Sequence, residues 1–255
     1  HYFAARYHKV DVTLPYFITF PPLAGFLNFG TMGAVIRTRS IVSNNKAMFD
    51  IGVAGPIAGF IASLIILVYG YTNLPDPQYI LSINPDYFSA GYGKDAISLK
   101  FGSSILFEFF NSIFNTPNNF IPPMTEIYHY PYLTAWWLGL FVTAMNMIPV
   151  GQLDGGHIIY SMFGVKKHET IASISLIILI VLGVFGALDS FLQLGFSFGW
   201  TGWLFWALIL NFVIKVKHPP VFNFQPLDST RMMVGYFSLF IFVISFAPSP
   251  FVISF

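Results

Sequence analysis

The sequence predicts a polytopic α-helical membrane protein with about five transmembrane helices and a small β-hairpin or re-entrant segment. Three observations predict it. Hydrophobic residues make up 55% of the 255 residues and charged residues only 9%, against roughly 25% charged in soluble domains. Several stretches free of Asp, Glu, Lys and Arg reach the length of about 20 residues that a spanning helix needs. The few charges also segregate when the chain is folded back and forth across a bilayer. The same composition excludes other classes. A net charge of +1 leaves no basic face for nucleic acid, and the hydrophobicity excludes intrinsic disorder. With no Cys, disulfides and thiolate metal sites are excluded, so a metal would have to sit on His, Asp or Glu.

Taken in chain order, residues 1–255 read as one membrane-embedded domain. The chain opens at His1 without a basic segment leading into an apolar core, and reads as a fragment whose beginning is missing. Between Val12 and Ile36 there is no charge, but Pro15, Pro21, Pro22, Gly25, Gly30 and Gly33 break any helix. Val10, Val12 and Leu14 alternate with Asp11 and Thr13, which is strand periodicity. Residues 9–39 are therefore expected as a hairpin or re-entrant segment at the membrane boundary, where irregular backbone needs cover from protein or a wet cavity.

Five spans come next. They are Ile51–Pro75, ending near Tyr71; Ile127–Leu153, starting near Tyr132; Thr170–Leu188; Phe191–Ile214, starting near Gly199; and Met232–Phe255, ending near Pro248. The short aromatic stretch Phe101–Asn115 contains Glu108 and reads as an interfacial helix within a long loop, 72–130. Alternating the loops places Arg6, Lys9, Arg37, Arg39, Lys46, Lys166, Lys167, Lys215, Lys217 and Arg231 on one side. Only Lys94 and Lys100 fall on the other. The first side is then cytoplasmic, and the loop 72–130 faces outward.

The residues able to carry chemistry are few. The run Asn146-Met147-Ile148-Pro149-Val150-Gly151-Gln152-Leu153-Asp154-Gly155-Gly156 stands where a membrane helix ends. Pro149 removes a backbone donor and should loosen the helix near Met145 and Asn146, while the glycines keep the following backbone pliable. Asp154 has a bland reading, as N-cap of a short helix running to Phe163. An ionisable residue at membrane depth is otherwise a functional candidate, and Asn146 beside Pro149 tips the balance towards function.

Asn146-x-x-Pro149-x-x-x-Leu153-Asp154-Gly155 resembles the N-x-x-P-x-x-x-L-D-G motif of the site-2 protease-type intramembrane zinc metalloproteases. In that family the Asp is the third zinc ligand, and an H-E-x-x-H sequence on an earlier helix supplies two His ligands and a general-base Glu. The opening His1-Tyr2-Phe3-Ala4-Ala5-Arg6, with Val10 and Val12 after it, looks like the end of that helix and the strand beyond it in such proteases. Gly55-Pro56-Ile57-Ala58-Gly59 and His218-Pro219-Pro220 extend the resemblance over most of the chain. His1 would be the last letter of the truncated motif, and α-helical residues before it the rest of the catalytic helix. The resemblance implies metal ligands His1 and Asp154 on a Zn2+ ion, substrate contacts from Asn146 and Pro149, and no catalytic residue in this chain, the general-base Glu lying upstream of His1.

The implied reaction is hydrolysis of peptide bonds in membrane-embedded substrates near the cytoplasmic face. Two His at i and i+4 share a helix face, Asp154 would complete three ligands, and water would take the fourth position. That water would be acidified and attack the scissile carbonyl. The 255-residue chain alone is expected to be inactive. The implied partners are transmembrane protein substrates and the lipid bilayer, and the absence of Cys leans towards a bacterial cytoplasmic membrane. The alternative is a catalytically inactive pseudoprotease of the same fold that binds transmembrane clients. A transporter is a third choice, but no matching helix break exists in a second half.

Other residues read more plainly. Ala54, Gly55, Ala58, Gly59 and Ala62 form a small-residue face suited to close helix packing. His157 reads as a polar or surface residue rather than a ligand, and His8, His129, His168 and His218 as interfacial. Trp136, Trp137, Trp200, Trp203 and Trp206 suit aromatic belts and helix packing. The edge of a strand at Lys9–Phe20 could hold an unwound substrate peptide, although a plain hairpin is the simpler account.

Overall fold

The computed structural model describes residues 1–19, 31–39, 42, 44–93, 98–114, 120–195 and 198–254. The expected turn of the hairpin, with Pro21, Pro22, Gly25 and Gly30, lies outside the described residues, as does Lys94.

A short helix, α1 (Tyr2–Tyr7), leads into a hairpin of β1 (Tyr16–Thr19) and β2 (Thr31–Val35). Tyr16 pairs with Val35 and Phe17 with Ala34, and the register slips before Thr19. Val12 makes only an isolated bridge to Thr38. Pro15, which lacks a donor, separates that bridge from the ladder, so the strand proper starts later than the alternation at Val10–Leu14 suggests.

Helix α2 (Asn45–Thr72) starts sharply because Asn44 caps it, its side chain accepting from the Ala47 amide. Its 28 residues extend about 42 Å at 1.5 Å per residue, and Pro56 is accommodated inside it. After α3 (Pro77–Ile83), β3 (Ser98–Phe101) and α4 (Ile105–Phe114), helix α5 (Pro131–Met147) opens on proline, whose fixed φ suits a first helical position. It lies along α2, where Trp136, Trp137 and Leu140 pack in one core with Phe60, Leu67 and Tyr71.

Helix α6 (Asp154–Leu192) is far longer than the expected span at Thr170–Leu188, because it runs through Lys166, Lys167 and Glu169. It is interrupted at Gly164 (φ 78°, ψ 178°), a conformation open to glycine. The piece before that break matches the short helix expected to end at Phe163. α7 (Gly202–Leu208) continues as a π-helical segment, Ile209–Ile214, and α8 (Ser229–Ser245) is capped by Asp228. A last strand, β4 (Phe251–Ser254), pairs antiparallel with β3.

Helices thus stand at each of the five expected stretches. Two of them, α2 and α6, are long and apolar enough to cross a membrane. α5 and α8, with 17 residues each, fall short of the roughly 20 residues of a full span, as does the α7 segment. The outer surface is apolar where a soluble protein would be polar. Ile174, Ile177 and Val181 on α6 and Met233, Phe237 and Phe240 on α8 are all exposed. Exposed apolar side chains on both helices fit lipid contact.

Candidate metal centre

The centre is built where α1, α2 and the start of α6 meet. His1 precedes α1, and its Nδ1 lies 2.7 Å from the carbonyl oxygen of Ile51 on α2. A carbonyl only accepts, so Nδ1 carries the hydrogen. The other nitrogen, Nε2, faces the Asp154 carboxylate, 3.2 Å from Oδ2. The His1 ring has room because residue 55 is glycine: a β-carbon there would fall 1.9 Å from Nε2.

Asp154 is aimed by the glycines around it. Gly151 takes φ 56° and sits where a β-carbon would meet the Lys215 carbonyl oxygen at 2.1 Å. Its amide donates to the Val216 carbonyl, tying the turn to the segment after α7. A β-carbon on Gly155 would lie 1.9 Å from the Met147 oxygen, and one on Gly156 2.2 Å from the Gly151 oxygen. The first turn of α6 therefore sits tight against the end of α5. The cap reading of Asp154 fails: Leu153 occupies the cap position, no side chain caps the helix, and Asp154 is its first residue. Its carboxylate turns to His1 instead of to the free amides of its own helix.

Among the described residues no cluster of three metal-ligating side chains stands together. His1 and Asp154 are a pair, and the pair suits zinc. A neutral Nε2 lone pair and a carboxylate at 3.2 Å repel unless a proton or a cation lies between them. Bond lengths of about 2.0–2.2 Å at a tetrahedral angle separate two zinc ligands by about 3.3–3.5 Å, close to the observed spacing. The carbonyl partner on Nδ1 is the usual device that fixes a ligating imidazole.

Asn146 is exposed on the last turn of α5 and Pro149 is buried beyond it. Among the described residues the Asn146 side chain enters no hydrogen bond, and neither residue is bonded to His1 or Asp154. The helix holds to Met147 before it ends, one to two residues beyond the loosening expected at Met145 and Asn146.

Two arrangements are not legible in the sequence. His168 and His218 are buried rather than interfacial, being 0% and 8% exposed. His157 Nδ1 lies 2.8 Å from His218 Nε2, and His218 Nδ1 lies 2.6 Å from the Pro219 carbonyl. The carbonyl forces the hydrogen onto His218 Nδ1, so His218 Nε2 accepts from His157 Nδ1. The second is an ion-pair network of His8, Asp50, Asp228 and Arg231. No spacing rule links residues 181 positions apart. The local signal is an Asp in the first turns of a helix whose sole other charge is Lys46.

The sequence model of peptidase family M50 matches residues 1–185, and the chain belongs to that family of membrane-embedded peptidases. It is 28% identical over 185 residues to the probable zinc metalloprotease EGY2, chloroplastic, of Oryza sativa subsp. indica, covering 72% of this chain and 30% of that protein. It is 30% identical over 186 residues to the probable zinc metalloprotease EGY1, chloroplastic, of Arabidopsis thaliana, covering 73% of this chain and 30% of the relative. The DDT domain-containing protein PTM of Arabidopsis thaliana is 30% identical over 162 residues, 64% of this chain and 9% of its own length. The chain thus spans less than a third of each of these relatives. No solved structure matches it. The two metalloproteases are chloroplastic by name, which lends no support to the bacterial membrane expected from the absence of Cys.

Proposed function

We propose that the full-length protein is an intramembrane zinc metalloprotease, with His1 and Asp154 as two of its metal ligands and membrane-embedded proteins as its substrates. The observation that carries the reading is the approach of His1 Nε2 to Asp154 Oδ2 at 3.2 Å, with His1 Nδ1 committed to Ile51. Membership of a peptidase family and the similarity to proteins named zinc metalloproteases support it. When bound, zinc supplies Lewis-acid polarisation of a scissile carbonyl and acidifies water.

The chain's own residues do the rest. Ile51 holds the His1 tautomer whose Nε2 is free to ligate. The Gly155–Gly156 turn presents the Asp154 carboxylate, only 16% exposed, from the opposite wall. Asn146, exposed on the last turn of α5, is suited to hydrogen-bond the backbone of an extended substrate near the cytoplasmic face. The general base belongs to the segment preceding His1. The protein is a multi-pass membrane protein in this reading, with the loop 72–130 facing away from the cytoplasm.

The similarity to PTM, whose name carries no protease activity, favours one alternative: an inactive protein of the same fold that binds transmembrane clients. Zinc content and cleavage separate the two. Full-length protein purified in detergent should carry zinc stoichiometrically, lose it on Asp154→Asn substitution, and cut a reconstituted transmembrane substrate in a chelator-sensitive way. Zinc retained by Asp154→Asn would remove Asp154 from the ligands. Zinc without cleavage of any substrate in a broad panel would favour the client-binding protein.

A further inference from the structure

Helix α1 is six residues long and buries only Ala5, which packs with Tyr2, Val10, Val12 and Ile51 in a small apolar cluster. Two side chains add polar ties to this contact, one at each end. His1 donates from Nδ1 to the Ile51 carbonyl at 2.7 Å, and His8, which caps the other end, places Nε2 2.7 Å from Asp50 Oδ2. Residues seven apart lie on one helix face. Both bonds reach adjacent residues, Asp50 and Ile51, on α2.

Asp50 is itself held from a third helix. Arg231 of α8 donates from Nε to Asp50 Oδ1 at 2.8 Å and from Nη2 to Oδ2 at 2.7 Å, the bidentate fork that Arg alone can make. Arg231 is anchored in turn by Asp228, which takes Nη1 at 2.5 Å and the Arg231 amide at 3.0 Å. The same corner is closed by Asn45, buried one turn before Asp50. Its side chain accepts from the Gln225 amide at 2.8 Å and donates to the Gln225 and Ser161 carbonyls.

We propose that Asp50 and Arg231 are positioning residues that act through His8: together they clamp α1 on α2 and thereby set where the His1 imidazole stands relative to Asp154. The start of α8 is then part of the support of the metal centre, although it contributes no ligand. This inference rests on the reading of His1 and Asp154 as zinc ligands. The clamp is partly exposed, its side chains showing between 18% and 30% of their surface, so screening limits what it adds to bulk stability. Its effect should appear in the metal site, where outer hydrogen-bonding partners typically matter 10–100-fold in affinity.

The test is zinc affinity of the full-length protein in detergent, by competition with a chromogenic chelator, beside thermal unfolding of the same samples. Arg231→Lys keeps the charge and loses the fork. Asp50→Asn keeps the shape and loses the charge. Each should lower zinc affinity at least about 10-fold, and the double variant should be no worse than the weaker-binding single one, because one clamp is broken only once. His8→Phe leaves the Asp50–Arg231 pair intact and cuts only its link to α1, so it covers the case in which an Asp50 or Arg231 variant fails to fold. It should lower zinc affinity by a similar factor with an unchanged unfolding temperature. Unchanged zinc affinity in His8→Phe, or a loss of thermal stability alone in the others, overturns the clamp. Asp154→Asn is measured alongside. If it too leaves affinity unchanged, the metal reading itself has failed; if it alone weakens binding, only the clamp has.

Discussion

The His1 ring fills the space that a β-carbon on Gly55 would need. The clash falls on Nε2, Cε1 and Cδ2 of the imidazole, the movable end of a side chain rather than backbone. Helix α2 would absorb an added methyl group by pushing the ring aside. Gly55 therefore does more than allow close helix packing, the role suited to Gly59, whose β-carbon would meet Thr143.

Gly55→Ala should accordingly separate folding from metal binding. The helix gains up to about 1 kcal/mol in propensity, while the displaced imidazole leaves Asp154. The expected outcome is an unfolding temperature equal to or above the parent protein's, with zinc content reduced at least about 10-fold. Full zinc occupancy in this variant would place the His1 nitrogen elsewhere.

Gly151→Ala should do the reverse and strike folding first. Its φ of 56° and the Lys215 carbonyl at 2.1 Å from a built β-carbon leave the methyl group nowhere to go. Backbone strain of about 1–3 kcal/mol, with the clash added, should lower the unfolding midpoint in detergent by several degrees. A change within about 0.5 kcal/mol, the usual range of innocuous surface substitutions, would contradict the tight turn.

Asn146→Ala tests a substrate role against a structural one. The side chain is exposed and makes no hydrogen bond among the described residues, so its loss should leave stability and zinc content unchanged. Cleavage of a reconstituted transmembrane substrate should fall about 10-fold or more, on the scale of about 1–3 kcal/mol for an unmade hydrogen bond to a buried partner. A stability loss without a kinetic one would assign Asn146 to the end of α5.

The connection between α2 and α5 should respond to pH. Glu126 is 6% exposed, and burial raises its carboxyl above the ordinary value of 4.5, partly opposed by His129 and by the hydrogen bond from Tyr92. The Tyr92 phenol is pushed up to about 12, by burial first and Glu126 second, and stays neutral throughout. A folded-state value above the unfolded one means that the folded state holds the proton more tightly. Stability is then greatest below about pH 4.5, declines as pH rises to the elevated value, and is level above it. Glu126→Gln should stabilise the protein at pH 7.5 and reduce the fall in unfolding temperature between pH 4.5 and 7.5. An identical pH profile in the variant would show that Glu126 ionises freely.

Much of this architecture is legible in the residues, for identifiable physical reasons. Charge-free apolar runs mark α2 and α8, although not the caps Asn44 and Asp228 that start them, and the Asn146–Gly155 run marks the junction that presents Asp154. What is not legible depends on partners distant in sequence. The residues place the start of a span at Thr170, because Lys166, Lys167 and Glu169 look like a loop. In the fold they ride on a continuous helix, and the break comes at Gly164, whose φ alone decides it. The burial of His168 and His218 comes from packing against Tyr160 and each other, which no local pattern encodes. Asp50 falls just outside the expected span Ile51–Pro75, and only the fold sets it inside α2 and brings Arg231 and His8 to it.

The pairing of β3 with β4 has a consequence for how the molecule assembles. Ser98 meets Ser254 and Phe101 meets Phe251, so roughly 150 residues, carrying α4 to α8, lie between the two halves of one small sheet. Closing so long a loop carries an entropy cost that only the packed helices can offset. The sheet is therefore expected to pair only after the helices between its strands have packed, and amide protection at β3 and β4 that precedes protection of those helices would contradict that order.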